Sequence, residues 1–314
     1  MANEITTANI NNAVAKLVAK NFMPAVYGNL VAGQLINREY ESTLANFGDV
    51  VNVTIAPQAK ANNLLEGGSV QNQQNNPGSA QVVLNRHFES TFTIVDIARA
   101  LSSVDVLSMY MNSAVISIAE QVETDILSTY GQLNALTPVG TSNVALTEAT
   151  IDNAETALFN AKIPANDPKY LIVSGAGYAN LRQVPRFSEF QMTGPSGQPS
   201  PMITGQLAGM TGPNGQFSNG TLKGLGIFRS QYVQKVSNTT YGMCFHPNAL
   251  ALAMRTLPKP GEGLGVIVEN TSFAGYGMQI VMSYDPVVLQ MRCTAHAFYG
   301  VGVLRNSFGL QVLS

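Results

Sequence analysis

The period with which apolar and polar residues alternate changes along this 314-residue chain, and each change predicts a different element. At Val50–Ile55 the run is rich in β-branched residues, as a strand requires. From His87 to Ile94 the period is two: Phe88, Phe92 and Ile94 fall on one face, and His87, Glu89 and Thr91 on the other. Between these two strands lie about thirty residues dominated by Asn, Gln, Gly and Ser, a length uncommon for a structureless connection inside a compact domain. From Ala61 to Asn85 the only charged side chain is Glu66. Such a segment is either disordered or finds its partners on another molecule, and the second alternative points to an assembly.

The next period is helical. Leu107, Met111, Ala114, Ile118, Val122 and Ile126 recur at i+3/i+4 and predict one helix over residues 104–130, about 40 Å long, with a single apolar stripe. Ser102 is placed to cap its start, with Asp105 reaching back, and Gly131 to end it. Ser108, Asn112, Glu120, Glu123 and Asp125 fall off the stripe. Ahead of it, residues 1–47 read as an arm with helical pieces (Val14, Leu17 and Val18; Leu30, Val31, Gln34 and Leu35), interrupted at Pro24 and Gly28.

Beyond Leu136, helices and strands alternate. A helix is predicted over 147–160, with Ile151, Ala154, Ala157 and Leu158 on one face. A buried strand follows at Lys169–Val173, a helix at 177–184 and a Gly/Pro/Ser/Gln loop over 193–220. The remaining strands are expected at 222–233, 265–269, 278–281, 287–291, 297–301 and 309–312.

Composition sharpens this picture. Charged residues make up 11% of the chain, against roughly a quarter in an average soluble protein, while the hydrophobic share is an ordinary 45%. Neutral polar groups have replaced charges, as on surfaces that meet protein rather than water. A net charge of -2 with no basic run excludes a strong nucleic-acid binder, which needs clustered cations. No stretch approaches the ~20 apolar residues of a membrane span. The opening Met1-Ala2-Asn3-Glu4-Ile5-Thr6-Thr7 lacks the basic and apolar regions of a secretory signal. The two cysteines form no disulfide framework, which fits a reducing cytosol.

Candidate chemistry is sparse. Cys244-Phe245-His246 and Cys293-Thr294-Ala295-His296 together contain the ligand types of a Cys2His2 zinc site, but not its usual spacing. Ser174-Gly175-Ala176-Gly177-Tyr178-Ala179-Asn180 stands between a strand and a helix like a dinucleotide loop. It has Asn180 in place of the third glycine and no acidic residue about twenty positions on. No P-loop, GxSxG elbow, HExxH or calcium loop occurs. The expectation is no catalytic, cofactor-binding or metal-binding residue, with His87, His246 and His296 structural.

Several segments, taken in order, resemble the major capsid (coat) proteins of tailed bacteriophages with the Hong Kong 97-type fold. They are Arg38-Glu39-Tyr40-Glu41 with Gly48-Asp49-Val50-Val51-Asn52-Val53, then Ser188-Glu189-Phe190 after Val184-Pro185-Arg186-Phe187. Gly224-Leu225-Gly226-Ile227-Phe228-Arg229-Ser230 follows, then Phe245-His246-Pro247-Asn248-Ala249-Leu250-Ala251-Leu252-Ala253, matched to a helix near the end of one domain. Last comes Ala297-Phe298-Tyr299-Gly300-Val301-Gly302-Val303-Leu304-Arg305, matched to a closing strand. The resemblance covers nearly the whole chain and implies an α+β architecture. Its parts would be an N-terminal arm (1–47), an extended β-hairpin loop or E-loop (48–97), a peripheral domain with a long spine helix (98–136), an axial α/β domain (137–285), and C-terminal strands returning to the peripheral domain (286–314).

The same resemblance implies a non-enzymic subunit that self-assembles, as pentamers and hexamers, into an icosahedral shell around double-stranded DNA. It implies assembly in the host bacterial cytoplasm, residence in the virion capsid, a portal, and only weak contact with the packaged DNA, without cofactor or membrane. Some relatives cross-link through an extended-loop lysine. Here that loop offers only Lys60, near its base, so no covalent welding is expected. The chain starts at Met1 close to the arm, which implies a separate scaffolding protein. Two alternatives stand beside this: an encapsulin-type bacterial nanocompartment, sharing the fold but enclosing protein cargo, and an α/β enzyme.

Overall fold

The computed structural model of the chain describes residues 31–40, 50–55, 59, 61–64, 66–70, 72, 76–96, 106–164, 167–184, 221–259, 266–273 and 276–314. The expected caps Ser102 and Asp105, the arm helix around Val14–Val18, Lys60, the 193–220 loop and the Pro185–Phe190 motif lie outside the described residues.

Two sheets and one long helix organise what is described. In the first sheet the 14-residue strand β13 (Gln290–Val303) is the central member, and all its partners are antiparallel. One edge pairs with β3 (Arg86–Val95). The other pairs with β10 (Leu250–Arg255) over its last residues and with β12 (Tyr276–Asp285) over its first, and β12 carries β11 (Val266–Phe273). Helix α2 (Val106–Leu127) packs on this sheet. Its predicted stripe is buried throughout: Leu107, Met111, Ala114, Ile118, Val122 and Ile126 are each no more than 7% exposed.

The stripe does not exhaust the buried surface of α2. Glu123 and Asp125, expected off the stripe, are also buried. The helix is covered on a second side by the short helix α1 (Ala32–Leu35) and by the turn around Ser230, so Glu123 has no water to face.

The second sheet is mixed. It runs β4 (Val139–Gly140), β14 (Gly309–Leu313), β9 (Thr239–Phe245), β5 (Lys169–Val173), β7 (Leu225–Arg229), β6 (Thr221–Leu222), with β8 (Gln234–Val236) also on β9. Its core holds Leu171, Val173, Ile227 and Cys244 against helix α3 (Glu148–Asn160), which buries Ile151, Ala154 and Leu158 as its spacing requires. Thr147 and Thr150 close a capping box at the start of α3. Helix α4 (Gly175–Gln183) begins where Ser174 Oγ accepts the Gly177 N–H at 3.1 Å, so the supposed dinucleotide loop is an ordinary serine cap.

Sheet membership cuts across the expected segments. Strands β10 to β12, placed by sequence within an axial unit ending at 285, pair instead into the sheet of β13 and β3. Strand β14, expected to return to the peripheral side, pairs with β9 and β4 in the other sheet. Long-range pairing decides this, and local pattern contains no term for it. The segment matched to a helix, Phe245–Ala253, is extended: β9 ends at Phe245, a 3₁₀ turn spans Pro247–Ala249, and β10 follows. Its Leu-Ala alternation has period two, with Leu250, Leu252 and Met254 toward α2 and Ala251 and Ala253 on the opposite face.

Two further expectations change. Val287–Leu289 form the turn before β13 rather than a strand, with Leu289 at φ 51°. The 222–233 run is split by a tight turn at Lys223 and Gly224, both with positive φ.

Candidate functional site

The long connection springs from a paired hairpin base. Strand β1 (Val50–Ile55) pairs antiparallel with β2 (Gly78–Val83), not with the 87–94 strand, so the return strand arises inside the stretch expected to lack structure. Val51 lies opposite Val82, and both are buried. Beyond the hairpin base every described residue from 59 to 77 is exposed, including Leu64 at 57% and Val70 at 79%. The described residues beyond the hairpin base thus touch little of their own subunit, and among them Glu66 carries the single charge.

The base of the hairpin lies on the face of the first sheet that α2 leaves free. Ala251 pairs across the strands with Gly302, and Ala253 with Gly300, making a block of four small residues. Val51, Val82 and Leu84 pack there with Ala251, Ala253 and Leu304. At Gly300 the approach is closer than any side chain allows, and at Gly302 it is tight. A Cβ on Gly300 would lie 2.1 Å from the Val83 carbonyl oxygen, and one on Gly302 would lie 3.1 Å from Val82 Cγ2. The spacings Ala251-x-Ala253 and Gly300-x-Gly302 were visible as same-face pairs at period two, although nothing in the sequence says what they face.

Polar groups, some buried and some at the surface, tie the elements together. Asp125 of α2 receives the Tyr299 hydroxyl at 2.6 Å and the Gln121 amide at 3.0 Å and pairs with Arg86 at 2.5 Å, so one carboxylate joins α2, β13 and β3. Lys223 bridges Glu148 at 2.7 Å and Asp152 at 2.5 Å, fastening the β6–β7 turn to the first turns of α3. Glu123 accepts from the Ala32 N–H and from Ser230 Oγ, both at 2.9 Å, and burial pushes its carboxyl up to about 7. Except for the Gln121–Asp125 pair one helical turn apart, these roles could not be read from sequence, because each partner is many residues away.

The residues screened for chemistry do not converge. Cys244 lies in β9 and Cys293 in β13, both fully buried in different cores. Burial pushes the Cys244 thiol up to about 12, which keeps it protonated at neutral pH. His246 Nδ1 accepts the Asn248 N–H at 3.2 Å while Nε2 faces Asp167 at 3.5 Å, and burial holds its pKa below the usual value. His296 meets His87 ring to ring, with 3.2 Å between nitrogens, and burial, then His87, lowers its pKa. Among the described residues no group of three or more His, Cys, Asp or Glu side chains is placed to hold a metal ion. No helix among them is long and apolar enough to cross a membrane. What the described residues bring together is a set of packed surfaces from distant segments.

Comparison with known proteins points the same way. The family model described as phage capsid protein matches residues 85–292. No curated protein matches the chain. Among solved structures the chain is similar to one from Mycobacterium phage Che8, with TM-score 0.62 and 19% identity over 90% of each chain. It is similar to the capsid of Ralstonia phage GP4, with TM-score 0.59 and 12% identity over 92% of this chain and 90% of that one. It is also similar to the holo-SrpI encapsulin complex of Synechococcus elongatus, with TM-score 0.50 and 11% identity over 88% and 87%. At these identities the structural matches show a shared fold.

Proposed function

The chain belongs to the phage capsid protein family, and from that premise we propose how its parts build a shell. Family membership makes it a major capsid protein, a structural component of the virion rather than an enzyme, which assembles with copies of itself into an icosahedral shell. The finer reading concerns the parts. Residues 48–97 are the intersubunit loop, the sheet of β13 with α2 is the peripheral unit, and the sheet of β5, β7 and β9 is the axial unit.

The observation that supports this division most is the projecting arm. Neutral amides hydrogen-bond a neighbour without the desolvation cost of burying charge, and from 61 to 85 the arm carries the single charge of Glu66. In a closed shell, heterologous contacts of this kind close into rings, which are pentamers and hexamers here. The content is double-stranded DNA. At a net charge of -2 the chain has no basic lining to retain phosphates, so the DNA is contacted weakly. A separate scaffolding protein and a portal complete assembly in the host cytoplasm. The subunit works without a catalytic or metal centre, and Cys244, His246, Cys293 and His296 are packing residues.

Negative-stain microscopy of the purified protein tests this directly: closed particles are expected, and a small soluble oligomer would refute it. The likeness to an encapsulin keeps a second reading in play. Nuclease-protected DNA inside the particles supports the phage shell, and a co-purifying protein cargo supports the nanocompartment.

A further inference from the structure

We infer that the block Ala251, Ala253, Gly300 and Gly302 is the seat that aims the hairpin, and that the depth of this seat sets the curvature of the shell. The inference rests on the reading of residues 56–77 as an intersubunit arm.

Three observations carry it. First, the four residues are two cross-strand pairs on one face of β10 and β13, so they form a patch two residues wide on each strand. Second, the backbone of β2, not only its side chains, rests on that patch. The Val83 carbonyl occupies the space of a Gly300 Cβ, and the Gln81 carbonyl lies 3.2 Å from where a Gly302 Cβ would be. Third, β2 leads into β3 through Leu84 and Asn85 alone, so the hairpin has no other hinge on that side and its tilt follows the contact with the sheet.

Leverage converts a small change here into a large one elsewhere. Two residues of strand span about 7 Å, while a six-residue strand followed by half of the 56–77 connection reaches at most about 55 Å when extended. A tilt that lifts one edge of the seat by about 1 Å therefore moves the far end of the arm by several ångströms. A shell repeats that displacement at every subunit contact. Glycine at 300 is then required by position, and at 302 it leaves the least crowded seat: the strand around them loses side-chain packing and gains a defined direction for the arm.

The test is a graded series in the full chain, co-expressed with its neighbouring genes and read by particle diameter in electron micrographs. A Cβ in Gly302→Ala would meet a Val82 methyl at 3.1 Å, the Gln81 carbonyl oxygen at 3.2 Å and the Val82 Cα at 3.4 Å, contacts that a shift of a few tenths of an ångström relieves, and Gly302→Val intrudes further. The fraction of particles off the wild-type diameter should rise from wild type to Gly302→Ala to Gly302→Val. It should fall back when Val82→Ala is added, because that change reopens the space. Wild-type diameters throughout the series overturn the seat. If Gly302→Val gives no folded subunit, Gly302→Ala with and without Val82→Ala decides by the same criterion. Removing Asn62 to Asn76 separates the two levels. If that deletion abolishes closed shells while Gly302→Ala leaves diameters unchanged, the arm reading stands and the seat falls. If the deletion changes nothing, the arm reading itself is wrong.

Discussion

Glu123 and Ala32 lie 91 positions apart, yet the Ala32 backbone N–H donates to the Glu123 carboxylate at 2.9 Å in the interior of the subunit. The Val31 N–H and the Ser230 hydroxyl donate to the same group, so one buried acid holds the start of α1 against both α2 and the turn after β7. Among the described residues, the groups that set its proton affinity include no cation; they are burial, which raises it, and these three neutral donors, which lower it.

The pH dependence follows. The folded-state pKa is raised from 4.5 to about 7, so the folded subunit holds a proton that the unfolded chain releases. The resulting stability is fully present below pH 4.5 and is lost as pH rises to about 7, an effect of order 3 kcal/mol. Glu123→Gln should flatten this part of the stability curve and slow proteolysis near Val31 at pH 8. Denaturant titrations of subunits at pH 5 and pH 8 check it, and an unchanged pH slope in the variant would refute the assignment.

Removing the Tyr299 hydroxyl leaves Asp125 with Arg86 and Gln121 as partners. Tyr299→Phe should therefore cost about 1–2 kcal/mol, a few degrees in melting temperature, with the subunit still folded. Asp125→Ala should cost more, because it strands the Tyr299 hydroxyl in the core. Calorimetry of the two variants ranks them, and the reverse order would mean that the network is unimportant.

Ile118 is 2% exposed at the middle of the α2 stripe. Ile118→Asp places a carboxylate there with no designed partner and should cost several kcal/mol. The expected outcome is insoluble subunit rather than soluble, unassembled subunit, as read by fractionation of the expressed protein.

Deleting Asn62 to Asn76 removes only residues beyond the hairpin base and spares the return strand at Gly78–Val83. The subunit should keep its melting temperature and lose the ability to form stable shells. Size-exclusion chromatography beside thermal unfolding distinguishes this from simple misfolding.

Cys244→Ala with Cys293→Ala should leave particle yield and diameter nearly unchanged, with a packing loss of order 1 kcal/mol per site. The two sulfurs sit in separate cores. Stoichiometric zinc in washed particles, lost together with shell integrity in the double variant, would show that view to be mistaken.

Local pattern in the sequence was enough to specify α2, α3, β3 and β5. Their signals are periods of 3.6 or two, which depend only on which side of an element is apolar, and Met111, Ile118, Ile151 and Leu171 are buried accordingly. The unusual neutrality of the arm was likewise legible, since it is a property of composition. What the arm pairs with was not. Gly78–Val83 has a weak strand pattern and becomes β2 because β1 lies beside it in register, Val51 opposite Val82. Leu250–Ala253, matched to a helix only by the resemblance, becomes a strand because β13 supplies its hydrogen bonds and the hairpin covers its alanines. The burial of Glu123 and Asp125 and the closeness of Gly300 to Val83 belong to the same class. Each depends on segments far apart in the chain meeting in three dimensions, where ladder hydrogen bonds and exclusion of water outweigh the few tenths of a kcal/mol by which local preferences differ.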